Sequence, residues 1–400
     1  MKRFFLAGII AFVPSLFAAA GHAQDTAKDA AKDTVKIGVV MSYSGQFADP
    51  TIQSDNGIKL YMKQHGDKLA GRNVEIIRKD DGGINPPVAK RLAQELVTRD
   101  NVDILAGFQL TPNALAAADV SAEAKKFMVV MNAATAIVTT KSPYMVRVSF
   151  TIPQLNQTLG TWAQKNGLKN AYVMVTDYGP CIDAEAAFQK GFKEAGGDII
   201  GSVRMAVQSP DFSAYVQRAK DLNPNGIFIM IPGGAQPGAF GKALAERGID
   251  PQKIEILGQA EITDEHALAS MGDVALGIIT AGHYDYTHRS KLNDDFVQAY
   301  KAEFQRNPDF FSVGGYDGMR LIDMALQKSG GKTDGEALVA AAKGLIWESP
   351  RGPMSIDPET RDIVQTVYIR KVEKRDGHLV NVEIAAIPNV KDPFKAAMKP

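Results

Sequence analysis

The side chains here that could do chemistry are few and scattered. The 400 residues include six histidines, one cysteine and 45 carboxylates. A hydrolytic centre needs a nucleophile beside a base, or ligands converging on a metal. The sequence holds no G-x-S-x-G elbow, no H-E-x-x-H pair and no G-x-x-x-x-G-K phosphate loop. His283 and His288 are the nearest histidine pair, and their spacing suits neither one helical face nor one strand face. Asp264, Glu265 and His266 read as a solvated helix start. Cys181 can form no intrachain disulfide and reads as a packed small side chain. An exported hydrolase therefore finds little support, and neither a metal nor a cofactor is called for.

The chain does offer grouped hydrogen-bonding side chains. "MSYSGQFADP" sets hydroxyls, Gly45, Phe47 and Asp49 between an apolar run and a helical pattern. Small residues let a ligand approach the backbone, hydroxyls and free N–H groups bond it, and Phe47 supplies an apolar wall. Such a loop binds rather than reacts.

The elements that must hold it recur along the chain. Apolar runs predict strands at Val35–Met41, Val74–Lys79, Val102–Ala106, Phe127–Met131, Ala171–Thr176, Ile227–Ile231, Ile254–Leu257 and Gly277–Thr280. Amphipathic segments separate them, as where Val88, Leu92 and Leu96 share a face. That cadence predicts an α/β fold with parallel sheets covered by helices on both sides. The series restarts at "KNAYVMVTDYGP", which predicts two doubly wound lobes whose strand ends face a shared cleft. Late in the chain, two β-rich runs flank Asp376-Gly377 and predict a hairpin.

Lys plus Arg balance Asp plus Glu at 45 each, so no net field favours nucleic acid. The N-terminus has a basic start, an apolar run and small residues at Gly21 and Ala23, the layout of a secretory signal cleaved after Ala23. A charged leader covers 24–33. No later segment approaches the ~20 apolar residues of a membrane span. The mature chain is therefore expected in the periplasm, soluble, with neither a lipid anchor nor direct membrane insertion.

Several stretches carry a family resemblance: "VKIGVVMSYSGQFAD", "GRNVEIIRKDDGGINPPVAKRLAQELV", "DILAGFQLTPNALA", "GGYDGMRLIDMAL" and "SPRGPMSID". In order and spacing the chain resembles type I periplasmic solute-binding proteins of the leucine/isoleucine/valine-binding class, the extracytoplasmic receptors of ABC importers. The resemblance implies two lobes joined by three crossings near Thr151, Gly282 and Gly352. Lobe one would comprise 34–150 plus 284–351, and lobe two 151–283 plus 352–400. It also implies a membrane permease as partner and no chemistry on the ligand.

The implied first-lobe contacts are Ser44, Phe47, Ala48 and Asp49, then Phe108, Gln109, Leu110 and Thr111, then Asn132, Ala134 and Thr135. From the second lobe come Asp177, Tyr178 and Asp183, then Gly233 and Gly234, then Glu261, with Tyr284 at a crossing. Asp183 is equally a candidate cap for the helix beginning "AEAAF". Hydroxyls and N–H groups at helix starts could cradle a carboxylate. Amino-acid binders of the class pair the ligand ammonium with an acid near Glu261, which sits one residue off that spacing. The aromatic side chains favour an aromatic carboxylate, hydroxybenzoate-like, with a branched-chain or other hydrophobic amino acid as the alternative. A periplasmic sensor is a remoter one.

Overall fold

A computed structural model describes Met1, residues 34–208 and residues 211–397. The expected signal segment and the charged leader fall, apart from Met1, outside the described residues.

Six strands build the first sheet: β1 (Thr34–Met41), β2 (Lys68–Leu69), β3 (Arg72–Asp80), β4 (Ile104–Gly107), β5 (Phe127–Val130) and β6 (Met145–Arg147). Their order is β2-β3-β1-β4-β5-β6, with β1–β4, β4–β5 and β5–β6 parallel. β1 reverses strand order relative to β4, so its carboxyl end opens a crevice where a ligand can sit. The opening loop lies there. The alternation of side chains explains the two-sided burial. Val35, Ile37, Val39 and Met41 enter one apolar cluster, and Val40 enters the other with Leu105, Met128 and Val130.

The helix Ala48–Gln64 packs against Phe310–Lys328, a partner from far along the chain. Their backbones nearly touch: a Cβ on Gly57 would sit 1.9 Å from the Ser312 carbonyl oxygen, and one on Gly315 2.0 Å from that of Ser54. Only glycine fits either position. The helices Pro86–Thr98 and Thr111–Glu123 contribute apolar side chains on the other face.

The second sheet has nine strands: β7 (Asn170–Thr176), β8 (Asp198–Met205), β9 (Gly226–Met230), β10 (Glu255–Gln259), β11 (Ile279–Gly282), β12 (Ile346–Ser349), β13 (Gly352–Ile356), β14 (Ile363–Arg375) and β15 (His378–Val390). β8, β7, β9, β10 and β11 are parallel neighbours. From β11 onward the pairing to β14 turns antiparallel, and β12, β13 and β15 extend it in the same sense. The sheet is thus mixed where the cadence predicted parallel. β12, β13, β14 and β15 follow one another through short turns and so pair antiparallel, because a short turn cannot bring a chain back parallel.

The β14–β15 turn is the predicted one. Asp376 and Gly377 both take positive φ, 50° and 81°, matching the twist of the flanking strands. Trp347, Met354, Ile356 and Ile363 join the first sheet's apolar cluster although their strands hydrogen-bond into the second sheet. No helix among the described residues is long and apolar enough to cross a membrane.

Candidate functional site

The first rim of the cleft is a set of loops at strand ends, tied by buried hydrogen bonds. Gln109 follows β4, accepts from the Thr51 hydroxyl at 2.7 Å and donates to the Pro50 carbonyl at 2.9 Å. Asn132 donates to the Gln109 carbonyl at 3.0 Å. Thr111 opens the helix Thr111–Glu123, whose N-cap residue Leu110 supplies no side-chain bond. The Thr135 N–H points to the Thr111 hydroxyl at 3.5 Å.

Arg147, fully buried, fixes the Ala133–Ala136 loop. It donates to the carbonyls of Ala133 (3.1 Å), Thr135 (2.8 Å) and Ala136 (3.5 Å), and pairs with Asp362 at 2.7 Å. The rim is therefore rigid without presenting a charge. A buried ion pair of this kind costs desolvation but specifies one arrangement of the groups it bonds.

The second rim carries ionisable side chains. Tyr178 precedes the helix Gly179–Glu194, on which Cys181 lies, and Glu261 sits in the turn Ala260–Thr263 after β10. Burial, then the neighbouring Asp264, pushes the Glu261 carboxyl up to about 8. Burial also raises the Tyr178 hydroxyl and the Cys181 thiol, with Glu261 adding to both. All three are shifted towards the neutral form. Asp264 caps the helix Glu265–Met271 by accepting from the Ala267 N–H at 2.7 Å.

Between the rims is a small cavity of about 60 Å³, lined by residues of both. Of the residues named from the sequence, it brings together Phe47, Gln109, Leu110, Thr111, Asn132, Ala134, Tyr178, Gly233 and Glu261. The others lie elsewhere. Ser44 is exposed, Ala48 is half-buried off the lining, and Asp49 pairs with Arg306 at 2.8 Å. Phe108 takes a positive φ of 58° and turns its ring into the first lobe's core. Asp177 is exposed. Tyr284 is buried, with its hydroxyl donating to Asn293 at 2.9 Å.

Thr135 and Asp183 line a neighbouring hollow with Ile137, Pro153 and Phe394. Asp183 is not a helix cap, because its helix already starts at Gly179. It accepts from the Ala136 N–H, and burial raises its carboxyl. Gly234, at φ 89°, faces the other rim. A Cβ there would lie 2.9 Å from the Gln46 carbonyl oxygen, so the two lobes touch at this point.

Pro50, Ile152, Pro180, Met230, Pro232 and Phe311 also line the cavity and were not singled out from the sequence, and Cys181, read there only as a packed small side chain, joins them. Phe311 had a signal. Asp309 and Ser312 form a capping box, which fixes the helix start on "FF", and adjacent residues on a helix cannot face one way. Phe310 packs on Phe150 and His283, so Phe311 is the ring left for the cavity. For Met230 and Ile152 no such local cue exists.

A family model described as periplasmic binding protein matches residues 34–377. The chain is 40% identical over 397 residues to "Leu/Ile/Val-binding protein homolog 6" of Brucella abortus (strain 2308), covering 98% of this chain and 99% of that protein. Among solved structures, it is similar to a solute-binding protein of an ABC transporter from Rhodopseudomonas palustris BisB5 in complex with 3,4-dihydroxybenzoic acid. That match has a TM-score of 0.87 at 50% identity, covering 91% of this chain and 99% of the other. Another R. palustris solute-binding protein, in complex with 4-hydroxybenzoate, matches with TM-score 0.87 at 40% identity, covering 90% and 99%.

Proposed function

The chain belongs to the periplasmic binding protein family, and from that premise we propose that it is the extracytoplasmic receptor of an ABC importer, closing its lobes on a hydroxybenzoate-like aromatic carboxylate. The observation that carries this reading is the lining of the cavity. Phe47, Tyr178 and Phe311 give its apolar walls three aromatic rings beside Ile152 and Met230, and Gln109, Thr111 and Asn132 supply uncharged polar groups. A flat ring gains from such walls by burial and by stacking. A carboxylate is served by the hydroxyl and open N–H groups where the helix Thr111–Glu123 begins. The two R. palustris relatives were solved with acids of this class.

The ligand bridges both rims, so it binds the closed arrangement better and shifts the population towards it. A membrane permease reads the closed surface, and the ligand leaves unaltered. The periplasm is the proposed compartment.

Glu261 favours a second reading, a branched-chain amino acid whose ammonium would pair with an ionised Glu261. Thermal denaturation separates the two. With 4-hydroxybenzoate at a thousandfold its Kd, the protein should gain roughly 4 kcal/mol, and leucine, isoleucine and valine should add little. Stabilisation by the amino acids alone would overturn the aromatic-acid reading. Mass spectrometry should recover the bound acid unchanged, and a converted product would overturn the receptor role.

A further inference from the structure

We propose that Glu261 meets the bound anion as an uncharged carboxylic acid, so that above the range where its free carboxyl ionises the protein must take up a proton together with its ligand. The inference rests on the aromatic-acid reading above, and it concerns how that same cavity tolerates a negative charge.

Among the described residues lining the cavity, the ionisable ones are Glu261, Tyr178 and Cys181, and none is Lys, Arg or His. The groups facing Glu261 are all acids or neutral. Asp264 stands on its own turn, and Tyr178 and Cys181 come from the helix Gly179–Glu194. The first rim contributes Phe47, Gln109, Thr111 and Asn132, which carry no charge. Asp49 lies off the lining and is already paired with Arg306. The buried guanidiniums Arg147, Arg351 and Arg370 are occupied by Asp362, Asp317 and Asp285.

A carboxylate ligand therefore enters a water-poor space that holds a carboxyl and no counter-cation. Two like charges confined there cannot both persist, so one group carries a proton. An aromatic acid ionises in the ordinary carboxylate range of about 4, whereas burial and Asp264 hold Glu261 at about 8. Glu261 keeps the proton. As a neutral acid it has one O–H donor, which suits a carboxylate, and one carbonyl acceptor, which suits the O–H of a ring hydroxyl.

The sign follows from linkage. The bound state holds the Glu261 proton more tightly than the free state, so affinity is full below the free value and falls as pH rises through it. An ammonium ligand would reverse the sign, because Glu261 would then have to ionise and affinity would rise with pH.

The test is calorimetry of 4-hydroxybenzoate binding to the full-length protein and to Glu261→Gln between about pH 6.5 and 8.5, below the titration of a phenolic hydroxyl near 10. The Gln side chain keeps the shape and the neutrality while removing the titration. The wild-type Kd should rise roughly fourfold, relative to that of Glu261→Gln, by about pH 8.5. Proton uptake by the wild type, from runs in buffers of different ionisation heat, should rise from near zero towards one. This count decides the matter even where Glu261→Gln binds poorly. Level Kd ratios with no proton uptake would overturn the inference and leave the aromatic-acid reading standing. Failure of both proteins to bind the acid at about pH 6.5 would overturn both.

Discussion

The two rims of the cavity hold their polar groups in opposite ways. On the first, Gln109, Thr111 and Asn132 cannot titrate, and their geometry is set by bonds to one another, to Thr51 and Pro50, and to the loop that Arg147 grips. On the second, Tyr178, Cys181 and Glu261 all can titrate, and desolvation is the largest cause that keeps them neutral. One rim is specified by partners and the other by the absence of water. The first should thus respond to mutations that unpair buried groups, and the second to pH and to ligand charge.

The largest expected effect lies on the first rim. Arg147→Met would take the guanidinium donor from three carbonyls, leaving that of Thr135 only the Val138 N–H, and would leave Asp362 with Lys395 as its remaining cation. Losing one member of a buried pair costs roughly 3 kcal/mol or more, so chemical denaturation should show a loss of that order. Stability unchanged by Arg147→Met would remove the case that this rim is held by its buried bonds.

Gly234→Ala probes the place where the rims meet. Its φ of 89° strains any L side chain, and the added Cβ would press on the Gln46 carbonyl 2.9 Å away. Closure should suffer more than folding. We expect 4-hydroxybenzoate to bind about tenfold more weakly, through a reduced closed population. A Kd equal to that of wild type would show that the Gln46–Gly234 contact plays no part in closing.

Thr111→Val should have the smallest effect, and it sharpens the contrast. It keeps the shape but removes a hydroxyl at the helix start, which is worth about 1 kcal/mol in binding, or roughly fivefold in Kd. That loss should be the same from about pH 6.5 to 8.5, whereas the contribution of Glu261 changes over that range. A pH-dependent penalty for Thr111→Val would mean that the two rims are electrostatically coupled, against the separation argued here.

Much of the fold was legible because its causes are local. Apolar runs of strand length, amphipathic spacing and the Asp376-Gly377 turn each act over a few residues, and β1, β3, β5, β7, β9 and β10 fall where the runs predicted. β8 was missed. It is an edge strand whose alternating exposure, with Gly201 in its middle, leaves no continuous apolar run to find. For the site, the opening loop marked Phe47 and the family resemblance implied Gln109, Thr111, Asn132, Tyr178 and Glu261; all six line the cavity, as strand-end loops of doubly wound sheets can. Phe108 went astray because its positive φ reverses a side chain that its position alone would aim at the cleft.

What this sequence settled by itself is the sort of protein: alternating strands and helices, glycine-bearing loops at strand ends, and a family likeness spread along the chain. Only tertiary structure decided which of those loop residues meet. Arg147 finds Asp362 across 215 positions, and the helix Phe310–Lys328 docks on Gly57 of a helix formed far earlier. It also pushed the Glu261 carboxyl towards its neutral form, since a carboxyl's charge depends on the water and counter-ions around it, and those belong to the packed molecule rather than to its order of residues.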